Sequence, residues 1–203
     1  MTWNSGTQHV CDMESDAWVL SDQAVSSKGT RSCQLTANSQ PVRFILGEGL
    51  RTKWGASTFD KSIDAPRRTL DFDIEDLALI ARLRQIDAWA VDYIAEHIDR
   101  LLKKTLSRAE VENGYSPLVR TYGRSALVRT KINVKGARVA SFWNERGEQI
   151  FDPPAEGCWQ DYAYAVQVVV PQLWIMQGTF GLLLETIAVQ LSPPAAINPF
   201  LAK

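Results

Sequence analysis

The sequence predicts an α+β chain, mostly antiparallel β, with one long helix embedded among the strands. Three observations carry this. Apolar and polar residues alternate over 126–134 and 162–170, the period of a strand. Between 74 and 104, Leu79, Leu83, Ile86, Ala90, Ile94, Ile98 and Leu101 recur at steps of three and four, which gives a helix one buried stripe. Strand patterns lie on both sides of that helix, so they share one mixed-class domain. With 203 residues, 45% hydrophobic and 22% charged, the chain is long enough to bury a core without staples.

Residues 1–35 are rich in Ser, Thr, Gln and Asp with no sustained period, and read as a flexible N-terminal arm. Trp3 and Trp18 are its two residues suited to docking. The domain follows over 36–192. Its first strand is 42–46, ended by Gly47 and Gly49, and 50–68 reads as a long irregular loop holding Trp54 and Phe59 among five bases. A short strand over 69–72 leads to Asp73, an N-cap residue, with Glu75 and Asp76 suited to the positive end of the helix. Ser107 and Glu110 form a capping box for a short second helix ended by Gly114, so the helical segment spans 74–113. Residues 162–170 are apolar on both faces, as a central strand is, and 180–191 is another long strand. Residues 193–203, with Pro193, Pro194 and Pro199, form a C-terminal tail. Five or more strands around a helix fit an OB-type barrel, and pattern alone does not separate that from a sandwich.

The basic run 118–143, LVRTYGRSALVRTKINVKGARVASFW, carries the functional signal. A turn at Lys135-Gly136 would make 126–134 and 138–143 a hairpin. Val128, Thr130, Ile132, Val134, Val139, Ser141 and Trp143 would then face the core, and Arg129, Lys131, Asn133, Arg138 and Phe142 would share the other face. Cations around a ring suit a single nucleic-acid strand, because charges hold phosphates while rings stack on bases. A three-residue loop would instead shift one arm and send Phe142 to the core beside Ile132. An ordinary solvated face is the bland alternative.

Charge distribution favours the first reading. The net charge is −1, yet 99–138 holds ten Lys or Arg against three acids, leaving −8 on the rest. Such segregation makes a local field that the total hides. Cys11, Cys33 and Cys158 are odd in number, with no CxxC and no nearby His, which suits a reducing compartment and no metal centre. No apolar run reaches the ~20 residues of a membrane span, and no secretory core follows Met1. A soluble, intracellular protein is expected, with the nucleus or a viral replication compartment open to it. Catalysis is not expected: the chain has no GxxxxGKS/T loop and no GxSxG elbow, and only His9 and His97 are available to a triad. Asp71 with Asp73, or Glu75 with Asp76, could hold a metal ion, but helix capping explains them more economically.

Leu106-Ser107, Glu110-Val111, the run 115–119 (YSPLV), the run 127–132 (LVRTKI) and the run 142–147 (FWNERG) together resemble an uncharacterised family of large algal DNA viruses and of algal and protist genomes. That family is distantly similar to phage replicative single-stranded DNA-binding proteins. The resemblance is good over 106–147 and loose over 40–200, and implies an OB fold with an added helix. The phage proteins end in an acidic tail with a terminal aromatic, whereas 198–203 reads NPFLAK, with Phe200 and no acidic run, so recruitment of partners through the tail is in doubt.

The expected function is sequence-tolerant binding of single-stranded nucleic acid, DNA favoured over RNA, in replication, recombination or repair. Arg129, Lys131 and Arg138 would contact phosphates, Arg120, Arg124 and Lys135 would form an outer funnel, and Phe142 and Trp159 would stack on bases. Trp54, Tyr122, Tyr162 and Tyr164 are further aromatic candidates, while Trp143 and Trp174 read as core. No cofactor and no membrane partner are expected, and homo-oligomers are possible. A non-catalytic protein-interaction or virion-structural β-domain is the alternative.

Overall fold

The computed structural model describes residues 7–58, 65–155 and 157–193. Trp3, Phe59 and nearly all of the expected tail lie outside the described residues. Three strands form where an arm was expected: β1 (Trp18–Leu20), β2 (Ala24–Val25) and β3 (Arg31–Ala37). Their few apolar residues do the packing. Val10, Trp18, Leu20, Cys33 and Leu35 are all buried, and β1 and β2 each pair with β3. A polar average concealed this.

Asn38 and Ser39, both at positive φ (50° and 63°), make the tight turn into β4 (Gln40–Ser57), since two such residues match the twist of a hairpin. β4 runs for 18 residues, through the first part of the stretch read as a loop, as far as Ser57. Gly49 and Gly55 sit at φ +69° and +70°, beside slips in the pairing register. Glycine bulges bend a strand without ending it.

After β5 (Arg67–Ile74) come α1 (Leu77–Glu96), α2 (Ile98–Leu102) and α3 (Arg108–Gly114). The cap of α1 is Asp76, three residues beyond the expected Asp73; its carboxylate accepts from the N–H of Ala78 at 2.8 Å and of Leu79 at 3.3 Å. The single expected helix is interrupted at His97, where φ is −119° and ψ 30°. Ser107 and Glu110 form the capping box. Contacts with the helices hold the N-terminal strands: Arg100 Nη1 donates to Leu20 O at 2.8 Å, Gln23 Nε2 donates to the Leu101 carbonyl at 2.9 Å, and Trp18 meets Trp89 edge-on at 5.3 Å.

The remaining strands are β6 (Val119–Tyr122), β7 (Ser125–Asn133), β8 (Ser141–Trp143), β9 (Gln149–Ile150), β10 (Ala163–Val170), β11 (Gln172–Met176), β12 (Thr179–Leu182) and β13 (Glu185–Ser192). Pairing closes a ring: β4 to β5, β5 to β7, β7 to β13, β13 to β10, and β10 back to β4. Every seam is antiparallel except β7–β13, which is parallel and two residue pairs long, so the sheet is mixed. Leu70, Phe72, Val128, Tyr164, Val166 and Val189 are buried in the core, and the buried Thr130 and Thr186 hydroxyls bond each other at 2.9 Å. Beside the ring, β11 pairs with β3 and β12 in an antiparallel extension.

The expected hairpin does not form. β7 pairs with β5 and β6, while β8 lies parallel to β13. Ala140 and Phe142 are buried and Val139 is exposed, the parity that a longer loop produces. No helix among the described residues is long and apolar enough to cross a membrane.

A buried carboxylate joins α1 to the chain entering β6. Asp87 accepts from the Tyr115 hydroxyl at 2.8 Å and from the Leu118 N–H at 3.0 Å to each oxygen. Burial raises it from 3.8 to about 6, against the lowering effect of those hydrogen bonds. The folded-state value lies above the ordinary one, so this group favours folding most below about pH 4 and loses that contribution as pH rises through about 6. The difference is worth about 3 kcal/mol. Asp87→Asn removes the slope, so the variant's urea-unfolding free energy relative to the parent should rise by up to about 3 kcal/mol from pH ~4 to ~7. A constant difference across that window would contradict the assignment.

Candidate nucleic-acid interface

Residues opposite one another in a β-ladder share a face, so the register assigns the outer surface of β5, β6 and β7. Asp71 lies opposite Arg129, Thr69 opposite Lys131 and Arg67 opposite Asn133. Arg120 lies opposite Leu127, Tyr122 opposite Ser125, and Glu185 beside Lys131. The expected outward set on β7, Arg129, Lys131 and Asn133, therefore sits together with Arg67 and Arg120.

Each cation is held in place. Arg129 makes a two-pronged pair with Asp71, at 2.7 Å from Nε and 3.1 Å from Nη2. Asp71 is 6% exposed, while the Arg129 side chain is 43% exposed. The carboxylate thus anchors from below and leaves guanidinium surface facing out. Lys131 Nζ donates to Thr69 Oγ1 at 2.6 Å and Arg120 Nη2 to Ser116 Oγ at 3.0 Å. Arg67 reaches Glu185 at 3.4 Å. Burial, then the neighbouring Arg129 and Arg67, hold Lys131 below its usual range, with Arg120 adding to the effect and Asp71 opposing it. Burial followed by Arg129 lowers Arg120 as well. Half-desolvated, mutually repelling cations favour an incoming anion.

These side chains line a cleft of about 950 Å³ between the ring and the extension. Among the described residues its lining includes Lys28, Arg31, Arg67, Lys104, Arg120, Arg129 and Lys131, and no Asp or Glu. Trp174, Leu106, Pro117 and Phe180 supply apolar wall. A Cβ on Gly181 would lie 3.2 Å from Trp174 Cζ2 and 2.7 Å from Ser116 O, so glycine is what lets the indole and that carbonyl approach the strand. The arrangement suits a phosphate chain with an aromatic wall beside it.

In fold, the chain is similar to the crystal structure of gp2.5, a single-stranded DNA-binding protein encoded by bacteriophage T7. The TM-score is 0.52 at 11% identity, covering 75% of this chain and 92% of that one. The fold resembles a phage single-stranded DNA-binding protein. The single-stranded DNA-binding protein of bacteriophage Enc34 is also similar, at TM-score 0.48, 10% identity and coverage of 89% and 95%. Its complex with single-stranded DNA gives 0.47, 10%, 87% and 96%. No family model and no curated protein matches the sequence.

Of the eight residues expected at the site, the structure gathers Arg120, Arg129 and Lys131 in the cleft. Arg124 is exposed in the β6–β7 turn, and Lys135 and Arg138 are exposed in the connection between β7 and β8. Phe142 and Trp159 are corrections. They are 1% and 2% exposed and pack edge-on against each other at 6.2 Å, so neither ring face is open to a base. Tyr164 is likewise buried. Asp71 and Asp73, weighed as metal ligands, engage Arg129 and Lys53. Lys28, Arg31, Arg67, Lys104 and Trp174 were not selected from the sequence. For Trp174 a signal existed: alternation with the buried Leu173 sends it to the opposite face.

Gly181→Ala should destabilise the protein by about 1–3 kcal/mol, because a backbone oxygen cannot yield as a side chain would. Denaturant unfolding checks this, and tryptophan emission should shift as Trp174 is displaced. A variant as stable as the parent would show that the strands separate freely there.

Proposed function

We propose that this chain binds single-stranded nucleic acid, DNA before RNA, along the basic cleft, and that its strand ring is an OB-type barrel with the helices inserted between β5 and β7. One observation carries the reading: among the described residues, seven cations and no acid line a concave cleft that also presents Trp174. The order of pairing around the ring and the likeness in fold to the T7 protein support it. Arg120, Arg129 and Lys131 hold phosphates, Arg67, Lys104, Arg31 and Lys28 extend the field, and Trp174 takes the stacking role first given to Phe142 and Trp159. Contacts to phosphate and ring faces make binding sequence-tolerant. No catalytic step is needed for a role in replication, recombination or repair, and kinship with the algal viral family is part of the same proposal, supported by the motif resemblance over 106–147 alone.

Tryptophan quenching by a single strand and by its duplex, each at two salt concentrations, tests the reading. The single strand should quench strongly and lose affinity with salt, by a slope of about −0.7 per phosphate contact. Lys131→Ala should reduce that slope by roughly 0.7. Trp174→Ala should cost about 1–3 kcal/mol at nearly unchanged slope. Equal binding of the duplex would mean that phosphates alone are read. No binding, with a defined oligomer in solution, would leave a protein-interaction domain as the answer.

Lys131 gives a second readout. A phosphate restores its lowered pKa towards the usual range, so the bound state holds the proton more tightly. Affinity should therefore fall as pH rises through the free-state value of Lys131 and level off above the bound-state value. Lys131→Arg stays charged and should lose most of that fall. A parent and variant with the same alkaline profile would place the phosphate elsewhere.

A further inference from the structure

Trp54 and Tyr122 lie on the same surface, just beyond the cleft lining, Tyr122 two residues along β6 from Arg120. Their rings meet edge-on at 5.2 Å, and they remain 46% and 59% exposed. Two large aromatic side chains left in water beside each other bury little, so packing alone is a poor account of them. Trp54 is aimed by the β4 bulge at Gly55 (φ +70°), a device that redirects a side chain out of strand alternation. Tyr122 lies opposite Ser125, which is on the face of β7 that carries Arg129 and Lys131.

From this pair a row of cations leads into the cleft, whose own Arg129 and Lys131 form its far end. Lys53 Nζ sits 3.3 Å from Asp73 and 3.1 Å from the Ser125 hydroxyl. Next come Arg129 over the buried Asp71, then Lys131 with Thr69. Both acids of the row are met by a cation. From Ser125 to Lys131 is six residues, on the order of 20 Å of strand. A single strand at the duplex rise of about 3.4 Å would cross that span in roughly six nucleotides, and an extended one in fewer.

We propose that Trp54 and Tyr122 form a second base-stacking station, reached by a strand that leaves the cleft and runs along β7. This rests on the nucleic-acid reading and adds a length to it: oligonucleotides too short to span the row use the cleft alone.

Fluorescence anisotropy of labelled thymidine oligonucleotides tests it, comparing a trimer with a decamer inside the ~4–16 nucleotide range of OB domains. Tyr122→Ala and Trp54→Ala should each weaken the decamer about five- to a hundredfold and leave the trimer unchanged. Tyr122→Phe should keep parental affinity, and Trp174→Ala should weaken both lengths. Tyr122 is on a short exposed strand, so its variant serves if Trp54→Ala does not fold. A decamer unaffected by Tyr122→Ala, or equal loss at both lengths, overturns the second station while leaving the cleft intact. If neither oligonucleotide binds the unaltered protein, the nucleic-acid reading falls and this one with it.

Discussion

One strand serving two partners sets the geometry of the whole molecule. The first half of β4 pairs with β10 and the second half with β5, so the chain must turn a corner without releasing its hydrogen bonds. Bulges at Gly49 and Gly55 provide the bend. Without the corner, β10 and β13 would extend an open sheet and β7 would have no seam to close against. The same bend aims Trp54 outward and brings β5 alongside β7, which places Asp71 opposite Arg129.

That buried carboxylate explains how a chain of net charge −1 presents a basic surface. At the cleft the acids are more deeply buried than the bases they hold. Asp71 fixes the Arg129 fork while nearly hidden, and Glu185 does the same for Arg67 and Asn133. A guanidinium held by a two-pronged pair loses less freedom on meeting a phosphate than a free side chain does. Lys131 and Arg120, whose hydrogen bonds among the described residues go to hydroxyls and not to carboxylates, keep their charge available at the centre.

What the sequence made legible was local. The stripe of α1, the Ser107–Glu110 capping box and the sorting of Arg129 and Lys131 against Val128, Thr130 and Ile132 all follow from spacing within one element. What it concealed was partnership. Residues 126–134 and 138–143 look like hairpin arms, but β7 and β8 instead pair one after the other with the same edge of β13, a strand more than forty residues further on. Phe142 follows the parity of that pairing and goes inward. The N-terminal strands were obscured for a different reason: their core contacts are Trp18, Leu20, Cys33 and Leu35, too few among polar neighbours to raise a periodic signal. Trp174 was assigned to the core from its hydrophobicity, whereas Gly181 opposite it marks a close approach that only the fold reveals.

The parallel seam between β7 and β13 has a bearing on how the chain is made. Lys131 and Ile132 meet Glu185 and Thr186, more than fifty residues later, and only two residue pairs long. Contacts this distant repay their loop entropy late. During synthesis β4, β5 and β7 can pair once the helices between them have emerged, but the ring stays open until β13 has left the ribosome. Until then one edge of β7 beside Arg129 and Lys131 has no partner strand. The nascent protein thus carries its cations before it carries the wall that turns them into a cleft.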